Sequence, residues 1–308
     1  MKTKGIHQIG DTPLSISIYS VEQTATRMND RGTLEIIFCL KGSVKFTYVY
    51  EEFTLHAGEF ISVDKDAYYL YDGKDNLCVS FHIDLKRYVE KYPFIVSNLF
   101  ICEGTKETTM EYPTSAHSRL KGLMISTLKC IAEGTDAETI EDVTGKIVDL
   151  FVEKFDITVF YTGISDLPAE VLERNRIFQQ YMHQHYTDKI TIQDLARESN
   201  LTEGYASEFM RKWSLGFRKM IGYIRANESE NMLLKTNKSI VEISESCGFS
   251  DVKYYYEAFK RWYRCTPKQF REKYGKNSID KVEYKSFDSI NNILDGLLMD
   301  HYKEIFIG

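Results

Sequence analysis

Residues 239–270 read SIVEISESCGFSDVKYYYEAFKRWYRCTPKQF, and their pattern decides the reading of the chain. Ile240, Ile243 and Cys247 recur at the spacing of one apolar helical face, which predicts a short helix from about Ser239 to Cys247. Gly248 tolerates the positive φ that a helix end requires. Phe249 returns to the core, and Ser250 or Asp251 caps a second helix. On that helix Tyr255, Ala258, Phe259 and Trp262 form the buried stripe. Lys253, Tyr254, Glu257, Lys260 and Arg261 are left on the outer faces. Thr266-Pro267 starts a further helix, since proline suits the first helical position.

Two short helices joined at a glycine, the second with a basic outer face, make the pattern of a helix-turn-helix DNA reader, a geometry that αα-hairpins of ordinary bundles share. The residues carry more than the pattern. Ser239, Ile240, Ile243, Gly248, Phe249, Ser250, Asp251, Tyr254, Tyr255, Ala258, Phe259, Lys260, Arg261, Thr266, Pro267, Phe270 and Arg271 stand in a register that resembles the C-terminal signature of the AraC family of bacterial transcription regulators. The glycine usual before Thr-Pro is replaced by Arg264-Cys265. Upstream, Thr191 opens a capping-box start to a short helix, Asn200-Leu201 make a turn, and Thr202 caps a helix running through Lys212. This is a first helix-turn-helix. Leu195, Ala196, Leu201, Thr202, Tyr205 and Ser207 hold the family register, while the stretch from Met210 to Phe217 is one residue short of it, which leaves its turn geometry open. A long helix from about Phe217 to Leu234 joins the two units, with Arg225 in the family's usual arginine position.

Charge follows the same division. Net charge is −6, which alone argues against nucleic acid. Residues 1–169 carry 17 Lys+Arg and 25 Asp+Glu, residues 276–308 carry 4 and 6, and residues 170–275 carry 18 and 14, a local +4. A modest phosphate-binding surface is expected there. A chain of 308 residues suits two domains, and its 43% hydrophobic and 27% charged residues are a soluble globular composition. No stretch approaches the ~20 apolar residues of a membrane span, and the N-terminus lacks an apolar signal core. Six cysteines scattered without a CxxC pair read as buried free thiols in a reducing cytoplasm, against a disulfide framework or a zinc site.

Residues 15–85 read as many short strands with turns every eight to ten residues: Ser15–Val21, Leu34–Leu40 ending in a turn at Lys41-Gly42-Ser43, Val44–Tyr50 with Val44, Phe46, Tyr48 and Tyr50 on one side, Phe53–Leu55, Phe60–Val63 after the Gly58 turn, and Leu77–Ile83. Further turns are expected at Glu51-Glu52 and Asp64–Asp66. A small antiparallel barrel or sandwich is expected. Glu35 to Ser43, followed by Leu55 to Ile61, resembles the cupin-type barrel found at the N-terminus of many AraC-family regulators. Metal-binding cupins carry His-x-His, a Glu and a later His. Here Glu35 stands without a His-x-His, and the later position falls near Tyr69-Leu70-Tyr71, so neither a metal nor another cofactor is expected. Arg27, Glu35, Tyr48, Tyr71 and His82 are candidates for the polar lining of a ligand pocket. The alternatives are a solvated Arg27, packing tyrosines and a core His82 bonded to a neighbour. His56, beside a turn, is expected to be exposed.

Ser115 caps a helix carrying Leu120, Leu123, Met124, Thr127, Leu128 and Ile131. Asp136 caps another carrying Ile140, Val143, Ile147, Leu150, Phe151 and Phe155. These helices can pack on the barrel and still offer an apolar stripe to a second subunit, and the resemblance implies a homodimer formed in this way. The expected organisation is α+β: a cupin-like antiparallel β-barrel over 1–112, a helical dimerisation segment over 113–163, a linker over 164–169, an all-α domain with two helix-turn-helix motifs over 170–275, and a helical extension over 276–308. The extension carries Ile290, Ile293, Leu294, Leu297 and Leu298 on one face and is expected to pack on the reader domain or on a partner.

The expected function is sequence-specific reading of double-stranded DNA in two successive major-groove turns, by a cytoplasmic regulator that is not an enzyme and does not meet a membrane. Glu203, Gly204, Ser207, Glu208, Arg211 and Lys212 face out from the first reader, and Lys253, Tyr254, Glu257, Lys260 and Arg261 from the second. The resemblance adds a small-molecule effector, a sugar as first choice, and RNA polymerase as a further partner. The rival readings are a metal-independent cupin enzyme and a protein-interaction module with an accessory helical domain.

Overall fold

The computed structural model describes residues 5–22, 25–28, 32–48, 51–63, 68–93, 95–105, 115–157, 167–274 and 281–307. The expected turn at Asp64–Asp66 and residues 164–166 of the expected linker lie outside them. The N-terminal part is built from β1 (His7–Gln8), β2 (Leu14–Val21), β3 (Ala25–Met28), β4 (Thr33–Tyr48), β5 (Glu51–His56), β6 (Phe60–Val63), β7 (Tyr68–Asp84) and β8 (Glu103–Gly104), all paired antiparallel in one sheet. Its spine is the ladder of β4 on β7, which runs from Thr33 opposite Asp84 to Tyr48 opposite Tyr69.

That spine corrects the expectation of short strands. The chain does not reverse at Lys41-Gly42-Ser43. β4 continues through it, and the register with β7 shifts between Cys39 and Lys41 and between Lys41 and Ser43. Gly42 takes φ 70°, and a Cβ there would overlap the carbonyl oxygen of Asp75 on β7. The glycine therefore serves a bulge that bends two long strands together. The apolar run Leu77–Ile83 is the second half of β7, whose first half pairs with β3 and the far end of β4.

Alternation gives the sheet two buried faces. Ile16 and Ile18, Leu34, Ile36 and Phe38, and Val79, Phe81 and Ile83 share an outer core with α1 (Ala116–Ala132) and α2 (Ala137–Lys154). Ser115 and Asp136 cap these helices as expected. Leu120, Met124, Leu128, Ile140, Ile147 and Phe151 are buried against the sheet, and Leu123 and Ile131 pack on the same core. Both helices thus pack on the sheet, as expected. The opposite face of the strands encloses an inner core of Tyr19, Ile37, Cys39, Val44, Phe46, Tyr69, Tyr71 and Cys78.

The helical part comprises α3 (Ala169–Gln184), α4 (Ile192–Glu198), α5 (Glu203–Trp213), α6 (Phe217–Lys235), α7 (Ile240–Ser246), α8 (Val252–Tyr263) and α9 (Pro267–Tyr274). It holds two cores, and the long helix α6 enters both. Met220, Ile221 and Ile224 lie with Phe178, Met182, Leu195 and Met210, and Ala226 and Leu233 lie with Ile243, Tyr255, Phe259 and Phe270. On α8 the fully buried residues are Tyr255, Phe259 and Tyr263. Ala258 and Trp262, expected in the stripe, are half-buried, and Asp251 rather than Ser250 caps the helix. Four of the six cysteines are buried and all are free. Burial pushes the Cys247 thiol up to about 12.

The C-terminal extension corrects a second expectation. β9 (Val282–Tyr284) pairs with β2, and α10 (Asp288–Ile307) packs on α1. Ile290 and Leu294 are buried in the outer core of the sheet. Burying two such side chains contributes of order 3–6 kcal/mol. The neighbouring Lys129–Asp295 pair at 2.9 Å, with Asp295 exposed, adds ~1 kcal/mol at most. Apolar burial therefore sets the docking, and it does so on the N-terminal sheet instead of the reader domain. Among the described residues no helix is long and apolar enough to cross a membrane.

Candidate nucleic-acid interface and ligand pocket

Each helix-turn-helix begins with the same device. Thr191 and Asp194 form a capping box at the start of α4, and Ser239 and Glu242 form one at the start of α7. Hydrogen bonds from the Thr191 side chain and backbone hold the Asp194 carboxyl below its usual range, and the backbone and hydroxyl of Ser239 do the same for Glu242. The turns follow at Asn200, φ 54°, and Gly248, φ 78°. Thr202 then accepts from the Tyr205 amide to cap α5, and Asp251 accepts from the Lys253 amide at 2.7 Å to cap α8. The shortened stretch after α5 closes through Gly216, which has φ 82° and whose amide donates to the Met210 carbonyl at 3.1 Å.

The two units are clasped to each other. Arg225 on α6 donates from Nε to the Tyr186 carbonyl at 2.7 Å and from Nη2 to the Asp188 carbonyl at 2.8 Å. Gly248 presses on the same loop: a Cβ there would overlap the Tyr186 carbonyl oxygen and stand 2.7 Å from that of Thr187. Behind α8, the Tyr255 hydroxyl donates to Ser229 Oγ at 2.9 Å, and Ser229 donates to the Ala226 carbonyl at 2.6 Å. These contacts fix both second helices to one frame.

All eleven residues expected on the reading faces are exposed: Glu203, Gly204, Ser207, Glu208, Arg211 and Lys212 on α5, and Lys253, Tyr254, Glu257, Lys260 and Arg261 on α8. Glu203 is partly engaged, accepting from Gln193 Nε2 at 3.0 Å, and Lys212 lies 4.4 Å from the Trp213 ring centroid. One cation was missed. Arg174 on α3 donates to the Tyr205 hydroxyl and lies over the Tyr205 and Phe209 rings, bringing a charge from another helix to the edge of the first reader. Its position depends on the packing of α3 on α5, for which the local pattern has no signal.

The Helix-turn-helix domain model matches residues 195–273, which span both second helices. The chain is 29% identical over 133 residues to the Msm operon regulatory protein of Streptococcus mutans, covering 43% of this chain and 46% of that protein, so it spans less than half of that relative's length. It is 20% identical over 279 residues to the HTH-type transcriptional regulator ExsA of Pseudomonas aeruginosa, covering 87% of this chain and 96% of the relative. Among solved structures, ToxT of Vibrio cholerae aligns at 13% identity over 84% of this chain and 97% of its own, with a TM-score of 0.43. Residues 195–273 belong to the Helix-turn-helix domain family.

The chain carries a second candidate site in the fold of its sheet, a cavity of about 500 Å³. Glu35, Tyr71 and His82, three of the five expected ligand residues, meet there, and the side chains of Arg27 and Tyr48 lie outside the described residues. Glu35, 4% exposed, accepts from the Tyr69 hydroxyl at 2.9 Å, and His82 Nδ1 is 4.0 Å from the same oxygen. His82 Nε2 is 2.9 Å from Ser17 Oγ, and the Tyr19 hydroxyl is 2.9 Å from Ser80 Oγ. Burial raises the Tyr19 hydroxyl well above its ordinary value, so it keeps its proton. Arg87 at the rim is tied to Asp11, donating to its carboxylate at 3.2 Å and its carbonyl at 3.0 Å. Ser17, Tyr19, Tyr69 and Ser80 were missed. The signal for Ser17, Tyr19 and Ser80 lay in the alternation: each sits beside outward-facing apolar residues of β2 or β7. His56 is exposed, as expected.

Proposed function

We propose that the chain is a sequence-specific, DNA-binding transcription regulator whose two second helices, α5 and α8, enter successive major grooves of double-stranded DNA. The observation that carries this reading is the pair of capped helix-turn-helix units clasped by Arg225, with every base- and phosphate-facing candidate exposed. Glu208 and Glu257 are assigned to cytosine amino groups, Lys253 and Arg211 to bases or neighbouring phosphates, and Lys260 and Arg261 to phosphate. The test is an affinity pull-down of fragmented genomic DNA by the full chain at near-physiological salt. Enrichment of one motif spanning about two turns supports the reading. A flat profile would move the weight to an interaction module.

We further infer that the cavity takes a neutral, hydroxyl-bearing effector, with a sugar as first choice. The hydroxyls of Ser17, Tyr19, Tyr69 and Ser80 and the His82 imidazole lie around the buried Glu35 carboxyl group, and the Tyr71 ring offers a stacking face. The carboxylates Asp11, Glu35 and Asp84 outnumber Arg87, which is already paired, so an anionic effector meets repulsion. Thermal-shift screening should find hydroxylated neutral compounds ahead of fatty acids, and a fatty acid as the best binder would overturn the assignment. A homodimer and a contact with RNA polymerase remain part of the proposal. Sedimentation of the full chain tests the first.

A further inference from the structure

We propose that Arg174 on α3 and Tyr205 on α5 together hold a DNA phosphate at the flank of the first reader. They supply from a neighbouring helix the charge that α8 carries at Lys253 and α5 lacks at Gly204. The proposal rests on the DNA reading proposed above. The Arg174 guanidinium lies 5.2 Å from the centroid of the Tyr205 ring and 5.6 Å from that of Phe209, and its Nη1 donates to the Tyr205 hydroxyl. Phe209 is buried, whereas Tyr205 is 45% exposed, so the pair is seated on the core and open at its outer edge. The Tyr205 oxygen accepts the Arg174 N–H, which leaves its own O–H to donate to a phosphate oxygen. Arg176 on the same helix faces Asp156 at 3.6 Å, while Arg174 forms no ion pair among the described residues and keeps its charge for an outside anion.

The flank is one that meets backbone. Tyr205 and Lys212 share one side of α5, and Tyr254 and Arg261 share the matching side of α8, where Arg261 is assigned to phosphate. A helix lying in the major groove turns its flanks to the two strands, and cations placed there set its register. The two units then differ in which helix carries the next cation. The offset from Thr191 to Ser239, carried back to α3, puts Gly222 of α6 in the place of Arg174. The packing agrees. Arg174 lies over Phe209, and a Cβ on Gly222 would stand 3.7 Å from Ala258, which occupies the place of Phe209 in the second unit. Each unit therefore pairs one cation with one glycine: Arg174 with Gly204 in the first, Lys253 with Gly222 in the second. The cation has changed helices and kept its unit.

The experiment is the affinity of the full chain for the DNA fragment enriched in the pull-down, read by fluorescence anisotropy over a range of salt. Arg174→Gln should weaken binding about tenfold and reduce the steepness of log K against log salt by ~0.9. Its preferences across a panel of single-base variants should stay native, since a phosphate contact carries no base information. Arg174→Lys keeps the charge and should keep the salt slope. Tyr205→Phe keeps the ring beneath the guanidinium and should still lose about threefold or more in affinity for every sequence. It carries the test alone if circular dichroism shows that Arg174→Gln does not fold. A folded Arg174→Gln with the native salt slope would overturn the proposal and make Arg174 a packing strut. Native affinity in Tyr205→Phe would overturn it as well. A native chain that enriches no fragment and binds no DNA would instead overturn the proposed function, and the phosphate contact with it.

Discussion

Counted from their caps, α5 and α8 run in parallel: Tyr205 matches Tyr254, Glu208 matches Glu257, and Arg211-Lys212-Trp213 matches Lys260-Arg261-Trp262. The preceding helices match as well, Thr191 and Asp194 with Ser239 and Glu242. Several positions break the correspondence. Glu203 faces Val252 and Gly204 faces Lys253 in this alignment, so the ionised side chains of α5 sum to zero and those of α8 to +2. Ala206 matches Tyr255, which reaches Ser229 on α6. Asn200 matches Gly248, which is wedged against the Tyr186 and Thr187 carbonyls. The second reader is thus the more basic and the more tightly keyed to its frame, while the first offers a bare backbone at Gly204.

The sharpest way to break the comparison is at the turns. Gly248→Ala adds a strained φ and a backbone overlap and should destabilise the helical domain by about 2–4 kcal/mol. Asn200→Gly should leave it within about 1 kcal/mol. Thermal unfolding of the two full-length variants measures both, and equal losses would mean that the turns are not distinguished by packing. Next comes base reading. Glu257→Ala should remove about 1–3 kcal/mol of discrimination at one base pair in the second half-site, and Glu208→Ala should do so in the first. Binding to a panel of single-base variants locates each effect. An unchanged preference in Glu257→Ala would show that α8 is misregistered on DNA.

Phosphate contacts follow. Lys260→Ala should weaken every sequence alike and lower the slope of log K against log salt by ~0.9. Gly204→Lys tests the asymmetry from the other side: nothing lies within 4 Å of its Cβ position, and the added charge should steepen the slope by a similar amount. The smallest effect is shared. The depressed Asp194 and Glu242 carboxyls contribute stability that is present above their unfolded-state values and lost as pH falls through their folded values. Asp194→Asn and Glu242→Gln should each remove part of that acid sensitivity, seen as a flatter Tm against pH below the ordinary carboxylate range. A large difference between the two would separate the capping boxes that otherwise look equivalent.

The readers were legible because their determinants are local. Caps, turns and apolar spacing all fall within a few residues, and each of the eleven face residues proved exposed. The sheet was less so. A turn and a bulge at Gly42 share the same glycine and the same polar neighbours, and only the partner strand, with Asp75 beneath Gly42, tells them apart. The cavity was half legible: Glu35 and His82 stand out as charged or titratable groups in apolar strands, whereas Ser17 and Ser80 look like ordinary strand residues until the strands are folded over. The pairing of β9 with β2 joins residues 19 and 284, and no local spacing records it.

That pairing also sets an order of events during synthesis. Tyr19 leaves the ribosome 265 residues before Tyr284, an interval of roughly ten seconds to a minute at ordinary elongation rates. The edge of β2 between Tyr19 and Val21 has no β9 to cover it until α3 to α9 have been made. The sheet that encloses the cavity is therefore completed last, although its strands emerge first.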